Sequence, residues 1–168
     1  MAARPAELLI FGYGNPSRGD DALGPLLLER LDLRLSGETR RAAGGIALVT
    51  DFQLQIEHAL DLEGRRLALF VDAHSTCPTA YRLERLAEIA DWPYSTHALP
   101  PAALLQVYRK ITGSPPPPSF SLAIRGFRFE LGEGLSPAAA AHLDAATALA
   151  LDLCRHPTLA YWSMHLAS

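Results

Sequence analysis

The sequence predicts an α/β protein, a three-layer α/β/α sandwich around a mostly parallel, twisted sheet of about five strands. Strand-like and helix-like patterns alternate along the chain, which is typical of parallel strands joined by crossover helices. The segment Leu67–Val71 is apolar throughout, as expected of a central strand covered on both faces. The 168 residues correspond to about one domain, and residues 1–168 are predicted to form it without a linker or repeat.

The first half of the chain is predicted to contain three strands and two helices. Short apolar runs at Glu7–Phe11, Ile46–Val49 and Leu67–Val71 have the length of strands. After Asp20 and Asp21, leucines recur at helical spacing, and an Asp at the start of that helix is a suitable N-cap. A second helix is predicted from Leu54 through Leu62.

The second half is predicted to add two strands and two helices. Thr79–Leu83 alternates like an edge strand, and Ser119–Ile124 is a further strand. Leu99–Ile111 is predicted to be a helix with two prolines in its first turn. Ser136 and Pro137 are typical of an N-cap and first helical position, and the Ala-rich helix they begin continues to about Arg155. The apolar tail after it is predicted to pack on the chain's own sheet.

Composition excludes several classes of protein. The 15 Lys and Arg residues against 18 Asp and Glu give a net charge of −3, which supplies no general attraction to nucleic acid. Two cysteines, Cys77 and Cys154, are too few for a disulfide scaffold or an all-thiolate zinc site. The N-terminal apolar run Leu8–Phe11 is too short for a signal peptide or a membrane span. We therefore expect a cytoplasmic protein without a membrane partner.

Polar residues that could carry chemistry follow the predicted strands. The acidic pair Asp20 and Asp21 follows the first strand, Asp72 ends the third, and His97 precedes a helix. In open α/β sheets the functional crevice lies beyond the carboxyl ends of the strands, so these groups are expected to share it. Two carboxylates and one imidazole form a ligand set that suits Ni, Zn or Co.

Other chemistries fit the sequence less well. Gly12 and Gly14 match only the first half of a dinucleotide-binding motif, and the two aspartates would repel a pyrophosphate at the helix start. Neither a His-Glu-x-x-His helix nor a Gly-x-Ser-x-Gly elbow occurs. Cys77 follows Asp72 closely, but without a clear activating base a buried, inert thiol is the favoured interpretation.

Three features together resemble the [NiFe]-hydrogenase maturation proteases. They are the loop Gly12-Tyr13-Gly14-Asn15 followed by Arg18-Gly19-Asp20-Asp21-Ala22-Leu23-Gly24, the strand ending in Asp72-Ala73, and Ser95-Thr96-His97 before a helix. The resemblance implies an α/β/α sandwich of the phosphorylase/hydrolase-like kind. It also implies an endopeptidase, of aspartic or metal-assisted type, that removes a C-terminal extension from the hydrogenase large-subunit precursor after nickel insertion.

The same resemblance implies roles for individual residues. Asp21, Asp72 and His97 are expected to be catalytic and to contact the metal, with Asp21 standing where some members have Glu. Arg18 and Asp51 are expected to line the crevice and contact the substrate. The cofactor implied is nickel, supplied by the precursor rather than stored.

The loop after the second strand departs from the Gly-Gly-Thr turn of several members. Asp51-Phe52-Gln53-Leu54-Gln55, with Glu57-His58-Ala59-Leu60, resembles the subgroup that serves cytoplasmic NAD-reducing or bidirectional hydrogenases. Two mechanisms stay open: the metal activates water or the carbonyl, or it serves for recognition while an Asp acts as general base. Two other functions also stay open, a non-catalytic chaperone that binds a nickel-loaded peptide and a metal-dependent hydrolase of small molecules.

Overall fold

The computed structural model describes residues 4–92 and 98–167, and a five-stranded sheet forms its centre. The strands are β1 (Leu8–Tyr13), β2 (Ile46–Asp51), β3 (Leu67–His74), β4 (Tyr81–Arg85) and β5 (Ser119–Arg125). Their order is β2-β1-β3-β5-β4, and β4 at the edge runs antiparallel to β5 while the other pairs are parallel. The predicted mostly parallel sheet is confirmed.

Helices cover both faces of this sheet. Within the described residues they are α1 (Leu23–Arg34), α2 (Gly37–Ala42), α3 (Pro101–Thr112), α4 (Pro137–Arg155) and α5 (Leu159–Ser163), with short 3-10 helices at Gly19–Ala22 and Ile56–Leu62. Leucines of α1 and α4 pack on one face, whereas α3 and the second 3-10 helix pack on the other. The predicted three layers are therefore present. None of the helices in the described ranges is long and apolar enough to cross a membrane.

The segment predicted as a second α-helix is a 3-10 helix. Its buried side chains, Ala59 and Leu62, are three residues apart, while Ile56 and Leu60 are exposed. A three-residue spacing matches the 3.0 residues per turn of a 3-10 helix, because side chains at i and i+3 then share one face.

The two helix starts that the sequence predicts have different outcomes. Ser136 caps α4 as expected, with its Oγ accepting a hydrogen bond from the Ala139 N–H at 3.3 Å and Pro137 following it. The N-cap position of α1 is Ala22, and no side chain in the described structure caps that helix. The predicted Asp N-cap is wrong, because the Asp20 and Asp21 carboxylates accept hydrogen bonds from loops outside α1.

The C-terminal tail packs on the chain's own core, as predicted. Trp162 in α5 is fully buried, its ring meets Phe120 edge-on at 5.2 Å, and its Nε1 donates to the Leu153 carbonyl at 3.0 Å. Burial of an indole together with its N–H partner accounts for the docking of this short helix. Met164, beyond it, is exposed.

Helix α1 crosses the sheet at a distance that only glycine permits. A Cβ on Gly24 would lie 2.6 Å from the Tyr13 carbonyl oxygen and 2.7 Å from that of Val71. These oxygens belong to β1 and β3, so the contact places the start of α1 directly over the ends of both strands. The residue preceding α1 by two positions, Asp21, is thereby held at the crevice.

We expect Gly24→Ala to lower the free energy of unfolding by about 1–3 kcal/mol, because the backbone of two strands must shift to admit a methyl group. Helix propensity alone would act in the opposite direction, by up to about 1 kcal/mol. Urea denaturation measures the difference. Gly134→Ala is the control, since nothing lies within 4 Å of a Cβ placed there, and an unchanged stability of Gly24→Ala would contradict the close approach.

Candidate active site

The strand order creates a crevice between the carboxyl ends of β1 and β3. The chain after β1 passes to α1 on one face of the sheet, whereas the chain after β3 leads to α3 on the other. Ligand sites of open α/β sheets lie at such switch points. Tyr13 ends β1 at this crevice, and Asp72 lies within β3, which extends two residues beyond it to His74 instead of ending there as predicted.

Asp72 is a partly buried carboxyl group whose pKa is shifted into the neutral range. Burial raises the pKa of Asp72 to about 7, and the negative charge of Asp21 acts in the same direction. Hydrogen bonds from the Ala73 N–H and the Tyr13 hydroxyl oppose the shift without cancelling it. A carboxyl group with a pKa near 7 can both accept and donate a proton at neutral pH.

Tyr13 keeps its proton beside Asp72. Burial raises the pKa of Tyr13 well above its usual value, and the charge of Asp72 and the hydrogen bond between the two side chains raise it further. The phenol is therefore a fixed donor to the carboxylate. Tyr13 was not among the predicted site residues, although it follows a predicted strand, as Asp72 does. In the structure, the register that pairs Gly12 with Val71 brings Tyr13 beside Asp72.

Asp21 is held next to Asp72 by the turn after β1. Its Oδ2 accepts a hydrogen bond from the Asn15 N–H at 2.7 Å. Gly14 has φ +145°, and a Cβ there would overlap the Asp21 carbonyl oxygen, so this turn requires glycine. The structure thus brings together two of the three residues predicted to contact the metal.

The third of them, His97, lies outside the described residues. Within 4–92 and 98–167, no group of three His, Cys, Asp or Glu side chains is arranged to hold a metal ion. The chain resumes close to the crevice, because Pro100 and Asp72 line the same cavity. Metal contact by Asp21, Asp72 and His97 stays a prediction.

The adjacent Asp20 has a different role, as a fully buried anchor for the loop before α4. Its carboxylate accepts hydrogen bonds from the N–H groups of Phe127 at 2.7 Å, Arg128 at 3.0 Å and Ser136 at 2.7 Å, and from Ser136 Oγ at 2.7 Å. Burial raises the pKa of Asp20, but these bonds outweigh it and the net pKa is lowered. The acidic pair therefore divides into one structural residue and one that faces the crevice.

The two residues predicted to contact substrate lie in different settings. Asp51 ends β2 directly opposite Tyr13, and its Oδ2 lies 3.2 Å from Nε2 of His58. The other ring nitrogen of His58 accepts the Gln55 N–H at 2.8 Å, so the imidazole connects Asp51 to the following loop. Arg18 is exposed, and its Nε donates to the Phe129 carbonyl at 3.2 Å, on the loop before α4.

A cavity of about 340 Å³ begins at Tyr13 and Asp72 and extends over β5 and β4. Its lining includes Ser121, Ala123, Arg82, Glu84 and the start of α3. Cys77 also lines it, but this residue is 4% exposed, in keeping with the buried thiol that the sequence predicts. The other cysteine, Cys154, is also buried, and burial raises its pKa to about 12.

Comparison with solved structures identifies proteins of the same architecture. The hydrogenase maturating endopeptidase HybD from E. coli superposes with a TM-score of 0.71 and 23% identity, over 90% of this chain and 93% of that one. The [NiFe] hydrogenase maturation protease HycI from Thermococcus kodakarensis superposes with a TM-score of 0.67 and 20% identity, over 89% of this chain and 93% of that one. An endopeptidase from Escherichia coli superposes with a TM-score of 0.66 and 20% identity, over 90% of this chain and 93% of that one.

The likeness is one of structure rather than of sequence. No protein-family model and no curated protein matches this chain. The superpositions nevertheless cover about nine-tenths of this chain and of each solved structure. The chain therefore has the α/β fold of the hydrogenase maturation proteases.

Proposed function

We propose that this protein is an endopeptidase that removes the C-terminal extension of a nickel-loaded [NiFe]-hydrogenase large-subunit precursor. The observation that carries the proposal is the pair Asp21 and Asp72 at the switch-point crevice, with the pKa of Asp72 near 7. This pair lies in the fold of proteins that perform such processing.

The substrate's nickel is the partner that the carboxylates suit. Burial is the main cause of the raised pKa of Asp72, and the negative charge of Asp21 adds to it, so a divalent cation between the two carboxylates would replace this repulsion by attraction. Carboxylate oxygens with an imidazole nitrogen from His97 form a donor set that nickel accepts. Two carboxylates and one imidazole leave positions for the precursor's own ligands, in keeping with the substrate-borne nickel that the family resemblance implies.

In the mechanism in which the metal serves for recognition, Asp72 has the acid-base properties that peptide hydrolysis needs. In its ionised form it accepts a proton as water adds to the scissile carbonyl carbon. The same proton then passes to the leaving amine nitrogen as the C–N bond breaks, which restores the carboxylate. Tyr13 donates a hydrogen bond that holds Asp72 in place. In the alternative mechanism, the substrate's nickel would be held by Asp21, Asp72 and His97 and would polarise the carbonyl or the water.

The loop after β2 supports a finer proposal about the substrate. Asp51 and the residues after it resemble the subgroup that serves NAD-reducing or bidirectional hydrogenases, and Phe52 in this loop is 65% exposed and free to contact a partner protein. We accordingly propose that processing takes place in the cytoplasm, without a nucleic-acid or membrane partner.

The direct test is a gel of nickel-loaded precursor with and without this protein. We expect a small mass loss with the wild type and a rate at least 10²-fold lower for Asp21→Ala, because general acid-base and metal contacts contribute about that much. Asp32→Ala, a change at a surface carboxylate of α1, should cleave normally. Cleavage at the wild-type rate by Asp21→Ala would contradict the proposal.

A native gel of the same mixtures, which also reports complex formation, separates the alternative functions. A nickel-peptide-binding chaperone would bind the precursor without shortening it, and a hydrolase of small molecules would leave it unbound and intact. Cys77→Ser should process normally because the thiol is buried. Loss of cleavage in that variant would indicate a thiol nucleophile instead.

A further inference from the structure

A row of side chains crosses the sheet at the level of Asp72, on the face that α3 covers. Asp72 pairs with Ala123 in β5, and Ala123 pairs with Arg82 in β4. Side chains of paired residues point to the same face of a sheet. Adjacent strands are roughly 4.8 Å apart, so Arg82 lies about 10 Å from Asp72 across the sheet.

The part of the row between Asp72 and Arg82 forms the floor of the cavity described above. Ala123 and the neighbouring Ser121 have small side chains, which leaves room above β5, and the residues Pro100 to Ala102 at the start of α3 form one wall. We call this space the Asp72–Arg82 groove. It opens directly from the crevice, so a chain held at Asp72 can continue into it.

Arg82 is the cationic residue at the far end of the groove. Its Nε forms an ion pair with Oε1 of Glu84, which lines the same cavity, at 2.6 Å. The pair lacks hydrogen-bond geometry, so the buried Nε has no hydrogen-bond partner in the described part of the chain. The other arginine of β4, Arg85, faces the opposite side of the sheet and packs over Phe120. Of the two arginines in β4, Arg82 is therefore the one whose guanidinium lies in the groove.

We propose that the Asp72–Arg82 groove binds the first residues of the substrate's C-terminal extension, and that Arg82 pairs with a carboxylate on that segment. This inference rests on the proposed function. A cavity of about 340 Å³ has the size of a small-ligand site, so it admits a short segment and not a folded domain. An extended chain rises about 3.3 Å per residue, so the carboxylate lies about three residues beyond the scissile bond.

Kinetics of precursor cleavage test the contact with Arg82. We expect Arg82→Ala to raise KM about tenfold with kcat changed less than twofold, because the groove binds the chain away from the reacting atoms. Arg85→Ala should change neither constant. For precursors with Ala in place of acidic residues at the second to fourth positions of the extension, wild type and Arg82→Ala should have the same KM. An unchanged KM for Arg82→Ala would overturn the proposal.

A second variant tests the groove without altering charge. Ala123→Phe should fill the space and slow cleavage of the full precursor at least tenfold, whereas a precursor truncated two residues beyond the scissile bond should be cleaved as well as by the wild type. Ala160→Phe, which adds the same ring at an exposed position of α5, is the matched control, and circular dichroism checks the fold of each variant. Equal cleavage of both precursors by Ala123→Phe would overturn the proposal.

Binding of a synthetic extension peptide, followed by fluorescence anisotropy, keeps the two proposals distinguishable. Weaker binding to Arg82→Ala than to Arg85→Ala supports the groove even without measuring turnover. A wild-type protein that binds the peptide but never shortens the nickel-loaded precursor would overturn the proposed function and not the groove. Equal binding to both variants would overturn the groove alone.

Discussion

Asp72→Asn is expected to abolish precursor cleavage and, in the same protein, to raise its stability above pH 7. Burial and the charge of Asp21 disfavour the ionised carboxylate in the folded protein, which is why the pKa of Asp72 is raised to about 7. Asparagine is uncharged at every pH and can still accept a hydrogen bond from Tyr13. It therefore removes the electrostatic cost while removing the group that exchanges protons.

The sign of the pH dependence follows from the two states of Asp72. In the unfolded chain the carboxyl loses its proton near pH 3.8, whereas in the folded protein it keeps the proton until about pH 7. The wild type therefore loses stability as pH rises between these values, and the full penalty is present above pH 7. Each pK unit corresponds to about 1.4 kcal/mol, so the expected gain for Asp72→Asn at pH 8 is on the order of a few kcal/mol.

Urea denaturation at pH 4 and pH 8 measures this effect. The two proteins should be nearly equal in stability at pH 4, and Asp72→Asn should be more stable at pH 8. Glu88→Gln is the control, because the hydrogen bond to Arg109 lowers the pKa of Glu88 and its loss should slightly destabilise the protein at pH 8. A variant that is less stable than the wild type at pH 8 would contradict the environment assigned to Asp72.

Such a result would mark Asp72 as a residue kept for chemistry at a cost in stability. Functional sites hold groups that the fold alone would not favour, and their replacement then stabilises the protein while removing activity. The combination of lost cleavage and raised stability distinguishes a catalytic carboxylate from a structural one. A carboxylate whose only role was structural would show a loss of stability on replacement, as expected for Asp20.

The sheet could be predicted from the sequence because its central strands are buried on both faces. Leu8 and Ile10 face α1 and α4, while Leu9 and Phe11 face α3, so β1 is a continuous apolar run. Helices α2 and α5 were not predicted, since five or six residues are too few to show a helical period. The sequence places the end of β3 too early, because the polar Asp72 interrupts the apolar run. The strand continues to His74, since its face at the crevice is only partly covered and accommodates a polar side chain.

The candidate site could be predicted only in part. Asp21 and Asp72 stand next to strands, and the topology of α/β sheets then places them together. Residue patterns alone do not distinguish Asp20 from Asp21, because the partners of Asp20 are 107 to 116 residues away in the sequence, and only the family resemblance selected Asp21. The relation of Asp72 to Arg82 depends on the register of three strands, which a single sequence does not specify.

Asp20→Ala is expected to lower the free energy of unfolding by about 3–5 kcal/mol, the largest loss that we predict for a single polar residue. Four donors on Phe127, Arg128 and Ser136 lose their acceptor, and each unsatisfied buried donor costs about 1–3 kcal/mol before relaxation. The loop before α4 thereby loses its carboxylate anchor and keeps its remaining hydrogen bonds to the segment that carries Asp21. We therefore expect precursor cleavage to fall as well, although Asp20 contacts no reacting group.

Thermal and urea denaturation measure this loss, and Asp144→Ala is the control, since its exposed pair with Arg30 should contribute less than about 1 kcal/mol. Should Asp20→Ala fail to fold, Ser136→Ala removes one of the four bonds and the α4 cap, at a cost of about 1–2 kcal/mol. The pKa of Asp20 is lowered, so its contribution is complete above about pH 4 and decreases as pH falls below that value. The stabilities of wild type and Asp20→Asn should accordingly differ most near neutral pH and become equal at acidic pH. A stability difference that grows as pH falls would show that the carboxylate is not the acceptor described.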